Sequence, residues 1–263
     1  MFSPKLLIFS VLLSCASYKS NQKFEVKKDL KYGEDPRNIG DLYLSQNKQG
    51  PRPIVFTVHG GGWKGRSKSD MDSIAISLAS HGFNVFNINY RLAPEFKHPA
   101  PIEDLKQAVE FIKKNYSKVI NTQKIGLWGY SSGAQTTMIY GLNEKKSVKA
   151  IVGGGGPYDF TWWPQSPIII PYMGYPRDEN IRGWLEASPV THLSKESPAI
   201  FLYHGKSDNL VEHSQMSAFD AQAKLLGVDI ETHSVSFWGH MATFAFSSES
   251  VKKATQFLKK KLI

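Results

Sequence analysis

The feature that most constrains the fold of this 263-residue chain is a regular alternation of short apolar runs with longer segments of helical periodicity. Residues 53–58 (Pro-Ile-Val-Phe-Thr-Val) form a nearly continuous apolar run rich in β-branched side chains. Such a run is typical of a strand buried on both faces of a parallel sheet. The alternation predicts repeated βαβ units, that is, an α/β fold with a mostly parallel central sheet and helices on both faces.

Two β-like segments, residues 24–32 and 40–44, precede that run and predict a hairpin at the start of the domain. Further strands are predicted over residues 84–89, 124–128, 148–153, 199–203 and 230–237. Helices are predicted over residues 71–80, 101–116, 132–142, 214–226 and 248–261. Because α/β folds of this length are often one domain, we predict a single domain over residues 23–263.

Residues 157–187 interrupt the alternation. The segment 157–189 holds six of the chain's 14 prolines. Its aromatic side chains are Tyr158, Phe160, Trp162, Trp163, Tyr172, Tyr175 and Trp184. Segments longer than about 12–15 residues without regular structure are usually functional or disordered, and this aromatic content argues against disorder. We therefore predict a short lid-like insertion above the sheet.

The first residues predict export. Residues 1–14 carry one positive charge, Lys5, followed by the apolar run 6–13 and the small residue Ser14. This order is typical of a secretory signal peptide, and the run is shorter than the roughly 20 residues that a membrane-spanning helix requires. The sequence Leu-Leu-Ser-Cys that ends at Cys15 resembles the lipobox of bacterial lipoproteins. It predicts cleavage before Cys15 and a lipid on its sulfur.

Cys15 is the only cysteine, so the chain can form neither an internal disulfide nor a cysteine-based metal site. Its place at the end of the apolar run favours lipid attachment, and a free thiol in a discarded signal segment is the alternative. Residues 15–22 are then a tether. We expect a protein exported from a bacterial cell and anchored to a membrane through Cys15, facing the periplasm or the cell surface.

The formal net charge is +9, and several lysines lie near the end of the chain. They are Lys252, Lys253, Lys259, Lys260 and Lys261. A basic face can hold a protein near anionic lipid or an acidic polymer, although such lysines more often form the solvated face of a terminal helix. No nucleic-acid-binding motif accompanies the charge, and we expect no nucleic-acid partner.

Residues 129–133 read Gly-Tyr-Ser-Ser-Gly and lie between a predicted buried strand and a predicted helix. Flanking glycines permit the sharp strand-to-helix turn that exposes the central serine above a sheet. Ser131 is therefore a candidate nucleophile. A serine hydroxyl needs an imidazole to accept its proton, and that imidazole needs a carboxylate to fix its tautomer.

Candidates for both partners follow later strands. Asp208 and His240 each come after a predicted strand, at the edge where the active groups of open α/β sheets gather. Glu212 and Asp229 are weaker candidates for the acid, because the first opens a predicted helix and the second precedes a strand. The other histidines near these positions are interpreted as structural: His204, His213 and His233.

Residues 59–63, His-Gly-Gly-Gly-Trp, directly follow the apolar run 53–58. Successive glycines let backbone N–H groups approach a ligand oxygen that side chains would block, as an oxyanion hole requires. The predicted donors are the N–H groups of Gly61, Gly62 and Ser132. The alternative is a glycine turn that only reverses the chain.

With these motifs, residues 40–263 resemble the hormone-sensitive-lipase-like and related small esterases of the α/β-hydrolase superfamily. Residues 89–95 (Asn-Tyr-Arg-Leu-Ala-Pro-Glu) and 99–104 (Pro-Ala-Pro-Ile-Glu-Asp) match the segment that follows the family's fourth strand. In that segment we expect Arg91 and Asp104 to be structural polar partners. The part before the sheet is too short for the helical cap of larger members, so substrate coverage is expected from the insertion. The chain looks closer to compact bacterial carboxylesterases and acetyl or feruloyl esterases.

The resemblance implies hydrolysis of a small-molecule or polysaccharide-linked ester through an acyl-enzyme, without metal or organic cofactor. Kynurenine formamidase-like enzymes share the His-Gly-Gly-x-Trp form, which leaves an amide substrate open. Two further alternatives are a non-catalytic ligand-binding lipoprotein and a binding protein that uses its basic surface. The predicted pocket residues are Trp63, Tyr130, Trp162 and Trp163, with Trp184 as a further candidate.

Overall fold

A sheet of eight strands runs through the described part of the chain, which is residues 24–46 and 50–263 of a computed structural model. Its strands are β1 (Phe24–Lys31), β2 (Ile39–Ser45), β3 (Arg52–Val58), β4 (Asn84–Ile88), β5 (Ile120–Tyr130), β6 (Val148–Gly154), β7 (Ala199–Gly205) and β8 (Ile230–Val235). The spatial order is β1-β2-β4-β3-β5-β6-β7-β8. β1 and β2 pair antiparallel, β2 pairs antiparallel with β4, and β3 to β8 run parallel. The predicted mostly parallel sheet is confirmed.

Helices connect the strands as the periodicity predicts. They are α1 (Asp72–Ser80), α2 (Ala100–Tyr116), α3 (Ser132–Asn143), α4 (Ile169–Met173), α5 (Ile181–Glu186), α6 (His213–Leu225), α7 (His240–Phe246) and α8 (Ser248–Leu262). The sequence did not predict the short helices α4 and α5 of the insertion. It also did not predict α7, because its seven residues are mostly apolar and follow Trp238-Gly239 without a helical alternation. Among the described residues no helix is long and apolar enough to cross a membrane.

Each face of the sheet carries its own apolar core. On one face α1 and α8 contribute the buried side chains Ile74 and Phe257. On the other face α2, α3 and α6 contribute Leu105, Met138 and Phe219. Burying both faces explains why the parallel strands read as continuous apolar runs rather than as alternating patterns.

The parallel strands give the sheet two distinct edges. The carboxyl edge is formed by the ends of β3 to β8 and the loops that follow them, and the amino edge is formed by their starts. Phe24 pairs with Ser45, whose N–H donates to the side chain of Asn84 at the start of β4. The chain therefore enters the sheet at the amino edge. Residues 1–23, with the predicted signal peptide, Cys15 and tether, lie outside the described residues.

The insertion, residues 157–187, contains α4, α5 and a 3-10 turn at Phe160–Trp162. Most of its large aromatic side chains are buried in the main core rather than poised above a cleft. These are Tyr158, Phe160, Tyr172 and Trp184. Trp184 is therefore a core residue and not a pocket residue. Tyr172 stacks on Trp63, with the ring centroids 4.2 Å apart, which fastens the insertion to the loop after β3.

Candidate active site

Ser131 lies at the sharp turn between β5 and α3, with backbone angles φ 55° and ψ −124°. A non-glycine residue with positive φ is strained and persists only where its surroundings fix it. A Cβ added to Gly129 would lie 2.1 Å from the carbonyl oxygen of Gly133, so the turn is too tight for a side chain there. The N–H of Ser131 donates to Gly154 O at 2.7 Å, which ties the turn to β6.

The structure brings Ser131, His240 and Asp208 into one hydrogen-bonded chain. Ser131 Oγ donates to His240 Nε2 at 3.0 Å, and His240 Nδ1 donates to Asp208 Oδ2 at 2.7 Å. His240 is the first residue of α7 rather than part of a loop. With the carboxylate on Nδ1, Nε2 is left to accept the serine proton, which is the arrangement a nucleophilic serine requires.

The Asp208 carboxylate is buried and fully hydrogen-bonded. Its Oδ1 accepts the N–H groups of Leu210 and Val211 at 3.0 and 2.9 Å. Burial opposes ionisation, but hydrogen bonds from His204 and His240 outweigh it and hold the pKa of Asp208 well below its usual range. Asp208 is therefore a carboxylate at neutral pH.

His204, interpreted from the sequence as structural only, contacts Asp208 directly. Its Nε2–H lies 3.1 Å from Asp208 Oδ2 and 2.8 Å from Val211 O, and the side chain is fully buried. Two imidazoles thus share one carboxylate oxygen. His204 lies near the end of β7 and Asp208 lies in the turn that follows it, so their spacing of four residues was the sequence signal for this contact.

Other acid candidates are engaged elsewhere. Glu212 accepts a hydrogen bond from Trp163 Nε1 at 3.1 Å. Asp229 pairs with Lys261 at the amino edge, whereas Ser131 lies at the carboxyl edge. Neither carboxylate contacts His240.

Tyr130 contacts His240 through a hydrogen bond and through its ring. Its hydroxyl donates to His240 O at 2.6 Å, and its ring centroid lies 5.2 Å from that of the imidazole. Burial raises the pKa of the Tyr130 hydroxyl far above its usual value, so Tyr130 is a neutral donor. The side chain fixes the start of α7 as well as lining the cleft.

The glycine loop after β3 lies against Ser131. A Cβ on Gly60 would lie 3.0 Å from Ser131 Cβ, and Gly61 and Gly62 have φ of 112° and 61°. Within residues 24–46 and 50–263, the N–H groups of Gly61, Gly62 and Ser132 donate to no acceptor. Unpaired N–H groups beside a serine hydroxyl are the donors that a developing oxyanion needs.

His59 holds this loop from the buried side. Its ring stacks on Tyr90 with centroids 4.3 Å apart, and its Nδ1–H donates to Gly60 O at 2.6 Å. Burial lowers the pKa of His59 to about 4, so the imidazole is neutral at neutral pH. Tyr90 in turn donates to His59 O at 3.1 Å.

A cleft of about 410 Å³ opens onto Ser131 at the carboxyl edge. Three of the four residues proposed from the sequence for the pocket line it: Trp63, Tyr130 and Trp163. Trp162 does not line the cleft. The 3-10 turn directs its neighbour Trp163 toward the cleft and leaves Trp162 45% exposed. Apolar side chains from the insertion and from the loops near Asp208 and His240 complete the wall: Ile168, Ile169, Leu210, Val211, Met241 and Phe244.

Polar groups of the predicted segment 89–104 lie behind the site. Arg91 Nε donates to Asp104 Oδ1 at 2.8 Å, and the Arg91 N–H donates to Oδ2 at 2.7 Å. This structural pairing is the one expected. Among the described residues, no group of three or more His, Cys, Asp or Glu side chains is arranged to hold a metal ion.

Residues 40–223 match the profile of a family described as BD-FAE. The chain belongs to the BD-FAE family. Its sequence is 30% identical over 220 residues to a probable carboxylic ester hydrolase, LipM, of Mycobacterium tuberculosis, covering 74% of this chain and 51% of that protein. It is 29% identical over 238 residues to a kynurenine formamidase of Meyerozyma guilliermondii, covering 81% of this chain and 86% of that protein. The chain thus spans about half the length of the mycobacterial relative.

Solved structures place this BD-FAE member in the α/β-hydrolase fold. A truncated carbohydrate esterase from gut microbiota superposes with a TM-score of 0.81 at 23% identity, covering 92% of this chain and 98% of that one. A bacterial heroin esterase superposes with a TM-score of 0.74 at 21% identity, covering 91% and 84%. At these identities the likeness establishes the fold.

Proposed function

We propose that the protein hydrolyses carboxylic esters through an acyl-enzyme on Ser131. The observation that carries the proposal is the continuous hydrogen-bonded chain from Ser131 through His240 to Asp208, facing unpaired backbone N–H groups in an open cleft. The relatives named as ester hydrolases support the same reaction class.

The geometry suits a two-step reaction. Ser131 Oγ attacks the ester carbonyl carbon while its proton passes to His240 Nε2, and the N–H groups of Gly61, Gly62 and Ser132 hold the oxyanion. His240 then protonates the departing alcohol, which breaks the ester C–O bond and leaves an acyl group on Ser131. Water attacks this acyl group with His240 as base, the carboxylic acid leaves, and the serine is restored.

The cleft favours small substrates. Its apolar wall and its volume of about 410 Å³ fit a short acyl chain or one aromatic ring better than a long chain. Glycan-linked esters fit the reaction class as well, and the structural likeness to a carbohydrate esterase motivates testing them.

A second candidate is hydrolysis of a formamide. The His-Gly-Gly-Gly-Trp loop and the 86% coverage of a kynurenine formamidase favour it, and the same nucleophile, base and oxyanion donors serve an amide carbonyl. The two candidates differ in the leaving group that His240 protonates, an alcohol or an amine, and in the acyl group that is left on Ser131, which is formyl for a formamide.

The test compares p-nitrophenyl acetate, butyrate and longer esters with acetylated, feruloylated and N-formylated substrates. Ser131→Ala should lose at least about a thousandfold in kcat/KM on every substrate that the wild type cleaves. Ser117→Ala, an exposed serine beyond α2, is the matched control and should leave the rates unchanged. Equal background rates for the wild type and Ser131→Ala would rule out the proposed function.

We also propose that the chain is exported and carries lipid on Cys15. The support is the order of charge, apolar run and cysteine in residues 1–15. In a bacterial host, the wild type should fractionate with membranes and incorporate labelled fatty acid, and Cys15→Ser should incorporate none. Incorporation by Cys15→Ser would contradict lipid attachment at this residue.

A further inference from the structure

Lysines without acidic partners are concentrated at the amino edge, opposite the cleft. Lys118 lies between α2 and β5, Lys146 between α3 and β6, and Lys195 shortly before β7. Lys259 lies in the last turn of α8, whose end is held at this edge because Lys124 Nζ donates to Leu262 O at 3.1 Å. The fold therefore brings lysines from three connections and from the end of α8 to one surface.

We call this group the basal lysines, and all its members are exposed: Lys114, Lys118, Lys146, Lys149, Lys195 and Lys259. None of them lies within 4.0 Å of a carboxylate of residues 24–46 and 50–263. Acidic groups of this edge are partly engaged, since Asp229 pairs with Lys261 and Glu231 with Lys260. Glu25 pairs with Lys27, and Glu144 and Glu196 also lie at this edge, Glu196 interacting electrostatically with Lys195. These three carboxylates are fewer than the six basal lysines.

Exposed apolar side chains are interspersed with these lysines. Val119 is 54% exposed beside Lys118, Leu225 is 80% exposed at the end of α6, and Ile263 is 49% exposed after α8. Lysines at helix ends complement helix dipoles, which accounts for Lys114 and Lys259. Dipoles do not account for lysines in connections and in β6, nor for apolar side chains projecting among them. Mixed lysine and apolar surfaces are typical of protein faces that bind anionic lipid.

The course of the chain points to the same face. Residues 1–23 join the described chain at Phe24, which lies at the amino edge. From Cys15 to Phe24 the chain can span at most about 30 Å. A lipid at Cys15 would thus hold the amino edge near the bilayer, although the charge and the apolar side chains do not depend on that lipid.

We propose that the amino edge is a docking face for an anionic lipid bilayer. The basal lysines contact anionic headgroups, and Val119, Leu225 and Ile263 enter the interface. The cleft opens at the carboxyl edge, so the docked protein presents Ser131 to the aqueous side. Its substrates then arrive from solution rather than from the bilayer beneath.

The first test uses the full chain with Cys15→Ser, which removes the lipid attachment point, and measures co-sedimentation with vesicles. We expect binding to vesicles of phosphatidylcholine mixed with phosphatidylglycerol and not to phosphatidylcholine alone. Reversing Lys118, Lys146 and Lys259 to Glu should weaken binding at least about tenfold. The matched control reverses the exposed Lys31, Lys97 and Lys206, which lie at the carboxyl edge and also lack acidic partners.

The control carries the same change in net charge and the same residues 1–23, so it separates a docking face from total charge. Equal loss of binding in both triple variants, or no loss in the basal one, overturns the proposal. Thermal unfolding shows that both variants are folded. None of these readouts uses ester turnover, so failure here leaves the proposed function to its own test.

The second test separates a bilayer from a soluble polyanion. Because Cys15 is the only cysteine, Cys15→Ser gives a cysteine-free chain in which Leu225→Cys carries one polarity-sensitive fluorophore. Phe237→Cys, at a 92% exposed residue after β8, is the matched position at the carboxyl edge. Anionic vesicles should shift the emission of the probe at residue 225 to the blue and leave the probe at 237 unchanged. A shift at 237 alone, a shift at neither, or binding only to dextran sulfate overturns the proposal.

Discussion

The carboxylate of Asp208 accepts hydrogen bonds from two imidazoles, those of His240 and His204. The mechanism uses His240 as the base and gives His204 no role. His204 is buried, and its Nε2–H is shared between Asp208 and Val211 O. Its Nδ1 has no partner within the described residues, so the polar contacts of the side chain are those of Nε2. We infer that His204 is a positioning residue that holds Asp208 against His240.

His204→Phe should therefore lower kcat about tenfold to a hundredfold while leaving KM nearly unchanged, because it displaces Asp208 and not the substrate. His204→Gln keeps an N–H donor and should recover part of the rate. His192→Phe is the control, since His192 bonds to Asn143 and to Glu186 O and not to His204 or Asp208. Steady-state kinetics on a p-nitrophenyl ester measure all three. A rise in KM with unchanged kcat would show that His204 acts on substrate binding instead.

The buried imidazole of His59 makes stability depend on pH. Burial lowers its pKa to about 4 in the folded protein, against about 6.5 in an unfolded chain. Between these values the unfolded chain binds more protons, so the free energy of unfolding falls as pH falls through this window. Over the whole window, the titration of His59 changes the free energy of unfolding by about 3 kcal/mol. His98 has a similarly lowered pKa and adds to the effect with the same sign.

Urea unfolding at several pH values between neutral and about 4 checks this prediction. His59→Phe preserves an aromatic ring against Tyr90 and should make the free energy of unfolding less dependent on pH. Ser117→Ala, at an exposed residue without a titratable side chain, is the control and should leave the slope as in the wild type. An unchanged slope in His59→Phe would mean that His59 does not titrate differently on folding.

Residue order along the chain was enough to choose Ser131, Asp208 and His240 as candidates, since each follows a predicted strand. It was not enough to decide which of two neighbouring aromatic residues lines the cleft. Trp162 and Trp163 are residues of the same type at adjacent positions, and only the course of a 3-10 turn decides that Trp163 lines the cleft. Contacts between side chains far apart in sequence, such as Trp63 on Tyr172, leave no local pattern.

At the scale of elements, two glycines of the loop after β3 differ in whether the structure has room for a side chain. Gly61 has φ of 112°, and a Cβ there would lie 2.4 Å from Gly65 O. A Cβ on Gly65 would meet nothing within 4 Å. Gly61→Ala should distort the loop and lower kcat at least about a hundredfold, because one oxyanion donor is displaced. Gly65→Ala should retain most of the activity.

Ester turnover and thermal unfolding of both alanine variants measure this contrast. Loss of activity in Gly61→Ala with an unchanged unfolding temperature assigns the effect to the site rather than to folding. Equal activity in the two variants would contradict the role of the Gly61 N–H.

The strands and the long helices could be predicted because burial on two faces or one leaves a distinct periodicity. The insertion lines the cleft through Trp163, Ile168 and Ile169, and its aromatics Phe160 and Trp184 are core residues. Aromatic and proline content shows that such a segment is ordered but not what it packs against. α7 was missed for a related reason, since a short helix over a cleft has no buried stripe of its own.

At the scale of the whole molecule, the sheet separates two surfaces by its strand direction. The cleft lies at the carboxyl edge, and the basal lysines and the start of the described chain lie at the amino edge. The net charge of +9 alone did not reveal this separation. Only the fold shows which strand and helix ends carry the unpaired lysines.

The central claim is that Ser131 becomes acylated during ester hydrolysis. Rapid mixing of the wild type with excess p-nitrophenyl acetate, followed by acid quenching and peptide mass analysis, tests it directly. The account predicts a burst of p-nitrophenol equal to the enzyme concentration and one acetyl group on the peptide that contains Ser131, with neither in Ser131→Ala. Turnover by the wild type with an acetyl group on another residue, or turnover by Ser131→Ala at the wild-type rate, would contradict it.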